Sequence, residues 1–180
     1  MSSTKVVTGK VRLSYCNLFT PRQSDDGGEP KYSVCVLIPK SDKATLDRLK
    51  AAIEAAKTAG LGKFGGKLPP GLKVPLRDGD TERDSAEYKG HFFLNASSRQ
   101  RPNVVDAEVN PVLHPDEVYS GCYGRVSLNM YAYVMSGNRG IAAGLNNVQK
   151  LADGDRLDSR SSAADDFGGD SFTTSYEFLR

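Results

Sequence analysis

Alternating apolar and polar residues mark the beginning of the chain as β-structure. Residues 4–15 alternate with a period of two, which predicts a half-buried strand that bends at Gly9. The apolar face of this strand carries Val7, Val11, Leu13 and Tyr15. Residues 31–39 are apolar on both faces, and Pro39 ends the run. The pattern therefore predicts two strands, of which the second lies in the middle of a sheet.

A change of period predicts one helix after the second strand. Apolar or small residues recur at helical spacing at Thr45, Leu46, Leu49, Ile53 and Ala56. Ser41 is suited to cap the amino end and Gly60 stops the pattern, so the predicted helix spans residues 42–59. Residues 60–84 are rich in glycine and proline, which predicts a long and mostly irregular loop.

Three further strands are predicted in the second half of the chain. In residues 91–97, one face carries Phe92, Leu94 and Ala96, and the other carries His91, Phe93, Asn95 and Ser97. Residues 124–134 alternate most clearly, and the turn "SGNRG" leads from them into a final strand at 140–151. Prolines within residues 104–117 indicate a connection there.

Five strands without regular crossover helices predict a mainly β protein, not a parallel α/β fold. A five-stranded OB-like barrel accommodates this count, although its usual helix follows the third strand and here the helix follows the second. We expect residues 1–152 to form this barrel domain. From Asp153 onward serine, aspartate and glycine dominate, which predicts a disordered acidic tail over residues 153–180.

Composition adds a charge asymmetry to this picture. Residues 1–150 carry 21 basic and 15 acidic residues, whereas residues 151–180 carry three and seven, so a basic body precedes an acidic tail. No apolar run approaches the roughly 20 residues of a membrane span, and the amino end lacks the apolar core of a secretory signal. These features predict a cytoplasmic protein.

The motifs that carry enzyme chemistry do not fit. The segment "GLGKFGGK" at 60–67 has the wrong spacing for a phosphate loop, and "DGDTERD" at 78–84 has Arg83 where a calcium loop needs glycine. Cys16, Cys35 and Cys122 are widely spaced, which predicts reduced thiols packed as small apolar groups. We therefore expect neither an enzyme nor a bound metal or cofactor.

The outward faces of the strands present aromatic rings, amides and cations instead. Single-stranded nucleic acid is bound by that mixture, because bases stack on rings and cations neutralise phosphates. The alternative is that the rings cover the open side of the sheet under the helix or the loop. The predicted DNA-binding residues are Phe93, Tyr131 and Tyr133 for stacking, Asn95 and Asn129 for hydrogen bonds, and Lys10, Arg12, Arg99, Arg101 and Arg125 for phosphates.

The acidic tail contains isolated aromatic residues in "DDFGGDSF". Such a segment docks into basic, apolar-lined pockets of partner proteins, or it competes with nucleic acid for the protein's own basic groove. The alternative is a tail that only improves solubility. The predicted partner-binding residues are Asp165, Asp166, Phe167, Asp170 and Phe172.

Several segments together resemble bacteriophage single-stranded DNA-binding proteins. The resemblance rests on "GHFFLNASS", on "RPNVVD" at 101–106, on "YSGCYGRVSLNMYAY" at 119–133 and on "GIAAGLNNVQKL" at 140–151. It implies an OB-fold core, binding of single-stranded DNA during phage replication or recombination, and an acidic tail that contacts partner proteins of the phage or host.

The prediction is thus a sequence-tolerant DNA-binding protein in the cytoplasm of the infected host cell. The preference for single-stranded over duplex DNA is left open, because a basic groove also attracts double helices. Two alternatives remain. One is a structural virion protein whose aromatic face is buried between subunits. The other is a DNA-processing enzyme that uses the acidic residues between Asp78 and Asp84 with magnesium.

Overall fold

A computed structural model describes residues 3–23, 28–135 and 137–157. The strands are β1 (Lys5–Val7), β2 (Val11–Arg22), β3 (Lys31–Pro39), β4 (Arg77–Asp78), β5 (His91–Ser98), β6 (Asn103–Val105), β7 (Tyr123–Met135) and β8 (Asn138–Ala152). The helices are α1 (Lys43–Ala59) and the short α2 (Gly79–Glu82). Single 3₁₀ turns lie at Leu61–Phe64, Ala86–Tyr88 and Pro115–Glu117.

Five long strands close into a barrel. Hydrogen bonds join them in the order β2, β3, β5, β8 and β7, and β7 pairs back to β2. The β5–β8 pairing is parallel, and the other pairings of the barrel are antiparallel. The predicted five-stranded OB-like barrel is confirmed, and its helix lies between the second and third barrel strands as predicted.

The inward residues of the barrel strands form the core, as the period of two requires. Fully buried members from the five strands are Leu13, Val36, Leu94, Leu128 and Ala143. Helix α1 covers one end of the barrel with Leu46, Leu49 and Ile53. Gly60, just after the helix, packs so closely on β7 that an added Cβ would lie 2.3 Å from the Cβ of Ala132.

The helix boundaries agree with the prediction except at the cap. Asp42, not Ser41, is the N-cap, and its carboxylate accepts a hydrogen bond of 3.2 Å from the backbone N–H of Thr45. Serine and aspartate are both good N-caps. Asp42 is the cap here because its side chain reaches the backbone N–H of Thr45, which has no partner within the helix.

The first predicted strand is two strands. The chain breaks at Gly9 into β1 and β2, and β2 continues to Arg22, beyond the predicted end at residue 15. The register between β2 and β3 shifts between Ser14 and Asn17. This bulge turns Tyr15 outward, where it is 58% exposed, so its predicted place on the core face is wrong.

The packed part of the chain ends later than the sequence predicts. Gly154 exchanges hydrogen bonds with the Tyr119 hydroxyl, and the backbone N–H of Leu157 donates to the Ser120 carbonyl at 2.9 Å. Residues 153–157 therefore belong to the folded body. Residues 158–180, with the predicted partner-binding residues, lie outside the described part.

The cysteines are thiols, of which Cys35 and Cys122 are buried and Cys16 is half-buried. Burial raises the pKa of Cys35 to about 11, which keeps this thiol protonated and inert at neutral pH. Across the described ranges, none of the helices is long and apolar enough to cross a membrane.

Candidate nucleic-acid interface

An open groove crosses the outer face of the barrel from β2 to β7. It consists of two hollows with volumes of about 350 and 810 Å³. Asn95, on the outer face of β5, lines both hollows and marks the point where they meet. A linear polymer that entered at β2 would therefore cross β3, β5 and β8 before it reached β7.

The first hollow is bordered by an aromatic ring that the backbone holds in an unusual conformation. Tyr15 has a φ of +47°, in the left-handed region that non-glycine residues rarely adopt. Its backbone N–H donates to the Ser120 hydroxyl at 2.8 Å, which fixes the bulge. The other residues that line this hollow are Asn17, Arg22, Ser33, Val34, Cys35, Arg83, Tyr88, Phe93 and Asn95.

Phe93 lies on the floor of this hollow and is 1% exposed. Its ring meets the ring of Tyr88 edge to face, with centroids 5.1 Å apart, and the guanidinium of Arg83 lies 4.8 Å from its centroid. Strand alternation correctly places Phe93 outside the barrel core, in a separate cluster with Cys35 and Leu37. The prediction that it is an accessible stacking surface is wrong, because the connection over residues 77–90 folds back and covers it.

Lys40 holds this connection in place. Its ammonium group lies 2.8 Å from Asp78 and 2.6 Å from Asp80, and Asp80 also accepts a hydrogen bond from the N–H of Gly90. The hydrogen bonds from Lys40 lower the pKa of both carboxyl groups, and those carboxylates raise the pKa of Lys40. The connection is thus clamped at both of its ends.

The same contacts bear on the metal-dependent alternative. Asp78 and Asp80 share Lys40, and Glu82 pairs with Arg77 at 2.8 Å. In the part of the chain that the structure describes, no three His, Cys, Asp or Glu side chains are grouped so that they could hold a metal ion. The acidic loop is therefore a clamp for the connection.

The second hollow carries two aromatic rings from β7. Tyr131 is 42% exposed and Tyr133 is half-buried, and both line the hollow. Gly140 on β8 leaves space for Tyr133, since an added Cβ there would lie 2.9 Å from the Tyr133 hydroxyl, whereas a Cβ at Gly144 would be in ordinary contact with the Tyr131 ring at 3.6 Å. Both rings point outward, as strand alternation predicts.

Cations line the groove along its length. They are Arg22, Lys31, Lys73, Arg77 and Arg83. Among the described residues that line the two hollows, Glu82 is the one acid, and its charge is neutralised by Arg77. Arg22 and Lys31 are direct cross-strand partners, an arrangement of like charges that an anion between them would stabilise. The groove is thus suited to a flexible polyanion with flat, apolar side groups.

The predicted site residues divide into two sets. The structure brings Asn95, Tyr131 and Tyr133 together in the groove, with Phe93 beneath its floor. Arg125 lies near the beginning of β7 and Asn129 in its middle, where β7 pairs with β1. The side-chain oxygen of Asn129 accepts from the Thr4 hydroxyl at 3.0 Å, and Nε of Arg125 donates to the Thr8 carbonyl at 3.0 Å.

The remaining predicted cations also lie outside the groove lining. Lys10 and Arg12 both stack on the Tyr123 ring, and Arg12 donates to the carbonyl of Asp155 at 2.6 Å. Arg99 lies 3.3 Å from Glu29, and Arg101 packs over the Phe19 ring. The outer face of a closed barrel points in every direction, so alternation alone does not place these residues on one surface.

Sequence reasoning missed Tyr15, Arg22, Lys31, Arg77 and Arg83 as members of the groove. The bulge that exposes Tyr15 leaves no trace in the alternation pattern. Arg77 and Arg83 lie beside and within a run of acids, so their charges give no separate signal. Lys73 lies in the segment 60–84, for which the sequence predicts only an irregular loop.

Comparisons with known proteins agree with this picture. Residues 4–179 match the model of a family described as the ssDNA-binding protein of Enterobacter phage Enc34. The protein p50 of Acyrthosiphon pisum secondary endosymbiont phage 1 is 34% identical over 161 residues, which cover 84% of this chain and 85% of that protein.

Two solved structures share the fold. The single-stranded DNA-binding protein of bacteriophage Enc34, in complex with ssDNA, is 29% identical with a TM-score of 0.76, covering 86% of this chain and 90% of that one. The single-stranded DNA-binding protein gp2.5 of bacteriophage T7 is 14% identical with a TM-score of 0.64, covering 90% and 99%. The latter similarity is one of fold.

Proposed function

Since the chain belongs to the Enc34 family of phage single-stranded DNA-binding proteins, we propose that it binds single-stranded DNA in the groove between Tyr15 and Tyr133. The family is one of binding proteins, not of enzymes. The observation that carries the proposal is that the two hollows share Asn95 and are lined by rings and cations.

Base stacking supplies the first part of the mechanism. Tyr131 and Tyr133 stack on bases in the second hollow, and Tyr15 stacks on a base in the first. Each stacked base contributes about 1–3 kcal/mol and accepts any of the four bases, because every base has a flat face. Asn95 adds a hydrogen bond that adapts to the base beside it.

Phosphate contacts supply the second part. Arg22 and Lys31 neutralise phosphates where the strand enters, while Lys73 does so along the second hollow. Both kinds of contact are independent of sequence, so binding tolerates any sequence and weakens with salt. The footprint is on the order of 4–16 nucleotides per barrel.

The tail regulates this site by competition. Leu157, the last described residue, packs beside the cluster of Cys35, Leu37, Tyr88 and Phe93 that forms the floor of the first hollow. The acidic residues that follow therefore begin at the edge of the groove, where they compete with phosphates. When DNA displaces the tail, Asp165, Asp166, Phe167, Asp170 and Phe172 become available to replication or recombination proteins of the phage or host in the host cytoplasm.

A salt titration tests the site. A labelled single strand of about 16 nucleotides, and a duplex of equal length, are titrated by fluorescence anisotropy across a range of salt. For single strands the logarithm of the binding constant falls by about 0.7 per phosphate contact for each tenfold increase in salt. Arg22→Gln and Lys31→Gln should each make the slope shallower by about that amount.

Arg99→Gln is the matched control, since Arg99 is an exposed cation outside the groove lining. It should leave the slope unchanged. A slope that responds to Arg99→Gln and not to the two groove variants would place the strand elsewhere on the barrel. No binding of the single strand at low salt would overturn the function itself, and equal binding of the duplex would extend it.

A further inference from the structure

The connection over residues 106–117 is an acidic segment of a folded body that is basic as a whole. It contains Asp106, Glu108, Asp116 and Glu117 and neither lysine nor arginine, whereas residues 1–150 as a whole carry a net charge of +6. A polyanion avoids such a segment. We call this segment the acidic pole.

The acidic pole also exposes large apolar side chains. Leu113 is 80% exposed and Val109 is 67% exposed. Both line a groove of about 790 Å³ that also includes Phe19, Val104 and Val112, with Arg101 at its edge. Exposed apolar surface rimmed by charge is typical of a protein contact.

The exposed side chain of Val109 belongs to a residue with a strained backbone conformation. Val109 has a φ of +66°, which is unfavourable for a β-branched residue. The carboxylate of Asp106 fixes this turn by accepting hydrogen bonds from the N–H groups of Glu108, at 3.0 Å, and Asn110, at 2.9 Å. The strained valine gains little burial in return, so its exposure calls for a contact outside the monomer.

A second surface of the molecule has the opposite character. Residues 61–76 contain Lys63, Lys67 and Lys73, the hairpin at 134–139 contains Arg139, and neither segment contains an acid. Lys73 joins the two segments through a hydrogen bond of 3.2 Å to the side chain of Asn138. The exposed apolar side chains here are Leu68, Val74, Val134 and Met135. We call this surface the basic pole.

The two poles lie at opposite ends of β8. Lys73 bridges to Gly140 near the beginning of the strand, and Val105, next to the acidic pole, pairs with Gln149 near its end. At about 3.3 Å per residue, the nine steps between Gly140 and Gln149 span about 30 Å. One molecule therefore cannot bring its own poles together.

We propose that the acidic pole of one molecule docks on the basic pole of a second copy of this chain. The two surfaces match in the sign of their charge, and both expose apolar side chains. A contact between unlike surfaces generates a ring when its rotation closes and an open row when it does not, and the open row is the arrangement that follows a DNA strand. The row extends the proposed function, on which it rests, because it lays successive barrels along one DNA strand.

The position of the basic pole gives the row a direction relative to DNA. Lys73, Val74 and Met135 belong to this pole and also line the second hollow of the groove. The next copy therefore sits beside the end of the groove where the strand leaves. Neighbouring copies then cover adjacent stretches of DNA, which makes binding cooperative on strands longer than one footprint.

Charge reversal on the full-length protein tests this contact. The first variant carries Glu108→Lys and Glu117→Lys, the second carries Lys67→Glu and Arg139→Glu, and a third combines all four changes. Each protein is titrated with a short strand of one footprint and with a strand several footprints long. The wild type should bind the long strand at least about tenfold more tightly per site than the short one, a difference of about 1.4 kcal/mol.

Each single-pole variant should lose this advantage, and the combined variant should regain it. The matched control, Asp47→Lys with Glu54→Lys on α1, changes the net charge as the first variant does and should keep the advantage. Equal cooperativity in all proteins, or no recovery in a folded combined variant, would overturn the contact. Failure on the short strand would instead count against DNA binding in the groove, so the two proposals are tested separately.

Discussion

Tyr131 and Tyr15 are exposed by two different local structures. Tyr131 lies on the outer face of a regular strand, and its ring lies beside Gly144 of β8. Tyr15 is turned outward by a bulge and a left-handed backbone conformation. Regular alternation predicts the first kind of exposure, and the second kind depends on a register shift that has no periodic signal.

The exposed ring of Tyr131 leads to a prediction about binding without loss of stability. Tyr131→Ala should weaken the binding of a short single strand by about 1–3 kcal/mol, the value of one stacked base. Tyr131→Phe keeps the stacking face and should bind almost as the wild type does. Fluorescence titration measures the affinity, and urea denaturation should show a similar midpoint for all three proteins. A variant that unfolds would place the ring in the core.

Tyr15 leads to a prediction in which stability and binding move in opposite directions. Tyr15→Gly removes the cost of a non-glycine residue in the left-handed region, roughly 1–2 kcal/mol, while it deletes the ring. Urea denaturation should show equal or higher stability, and the affinity for a short single strand should fall. Unchanged affinity in a folded variant would remove Tyr15 from the binding groove.

Phe93 leads to the reverse expectation, because its ring is sealed between Tyr88 and Arg83. Phe93→Ala should lower the free energy of unfolding by about 3–5 kcal/mol, as for other buried rings. Phe93→Leu should cost less, because it retains most of the buried volume. Both changes are measured by urea denaturation. A loss of DNA affinity without a loss of stability would show that the ring is reached by the strand.

At the scale of elements, long periodic segments were predictable and short or irregular ones were not. The helix after β3 and the strands β5, β7 and β8 are long enough for the hydrophobic pattern to repeat several times. Their predicted limits therefore agree with the structure to within a few residues. Strands β1, β4 and β6 contain three residues or fewer, which is too short for any period to appear. Neighbouring strands, not local sequence, determine these short elements.

The connection over residues 77–90 leads to a prediction about pH. The pKa values of Asp78 and Asp80 are lowered from the ordinary 3.8, chiefly by the hydrogen bonds from Lys40. A lowered carboxyl pKa stabilises the folded contact above the ordinary value, and that stabilisation is lost as the pH falls through the lowered values. The connection should therefore loosen in acid while the barrel persists.

Amide hydrogen exchange of Gly90, whose N–H donates to Asp80, is the appropriate measurement. After correction for intrinsic exchange, its protection should fall at acid pH in the wild type. In Lys40→Met the protection should already be low at neutral pH. Protection in the wild type that is independent of pH would show that Lys40 does not clamp the connection.

At the scale of the whole molecule, closure of the barrel decides which outward residues meet. The alternation of β7 places Arg125, Asn129, Tyr131 and Tyr133 on one side of the strand, and that much was predictable. The strand is long and curves around the barrel, so Tyr131 and Tyr133 reach the groove while Arg125 lies beside β1. Strand order and curvature depend on pairings between distant segments, which a pattern along the chain does not contain.

The acidic tail leads to a prediction at this scale. Truncation after Leu157 removes five acids and two bases and leaves the packed segment 153–157 in place. Affinity for a short single strand should rise, and the gain should shrink as salt screens the charges. Equal affinity with and without the tail would leave it a role in partner contact alone.

Truncation after Leu151 is a useful comparison. It also removes Gly154 and Asp155, which hydrogen-bond to Tyr119 and Arg12. This shorter protein should lose stability relative to truncation after Leu157, as measured by urea denaturation. The comparison separates the competing charge of the tail from the packing of its first residues.

The pairing of β2 with β7 joins residues more than a hundred positions apart, as in Val11 with Gly124. During synthesis, β2, β3 and β5 leave the ribosome well before their outer partners exist, so the nascent sheet has two unsatisfied edges. Closure waits for the β7–β8 hairpin, and such non-local pairing is slow. A chain released before this hairpin is complete leaves the edges of β2 and β5 unpaired and is prone to aggregate. Synthesis of β7 and β8 therefore determines whether the earlier strands remain soluble.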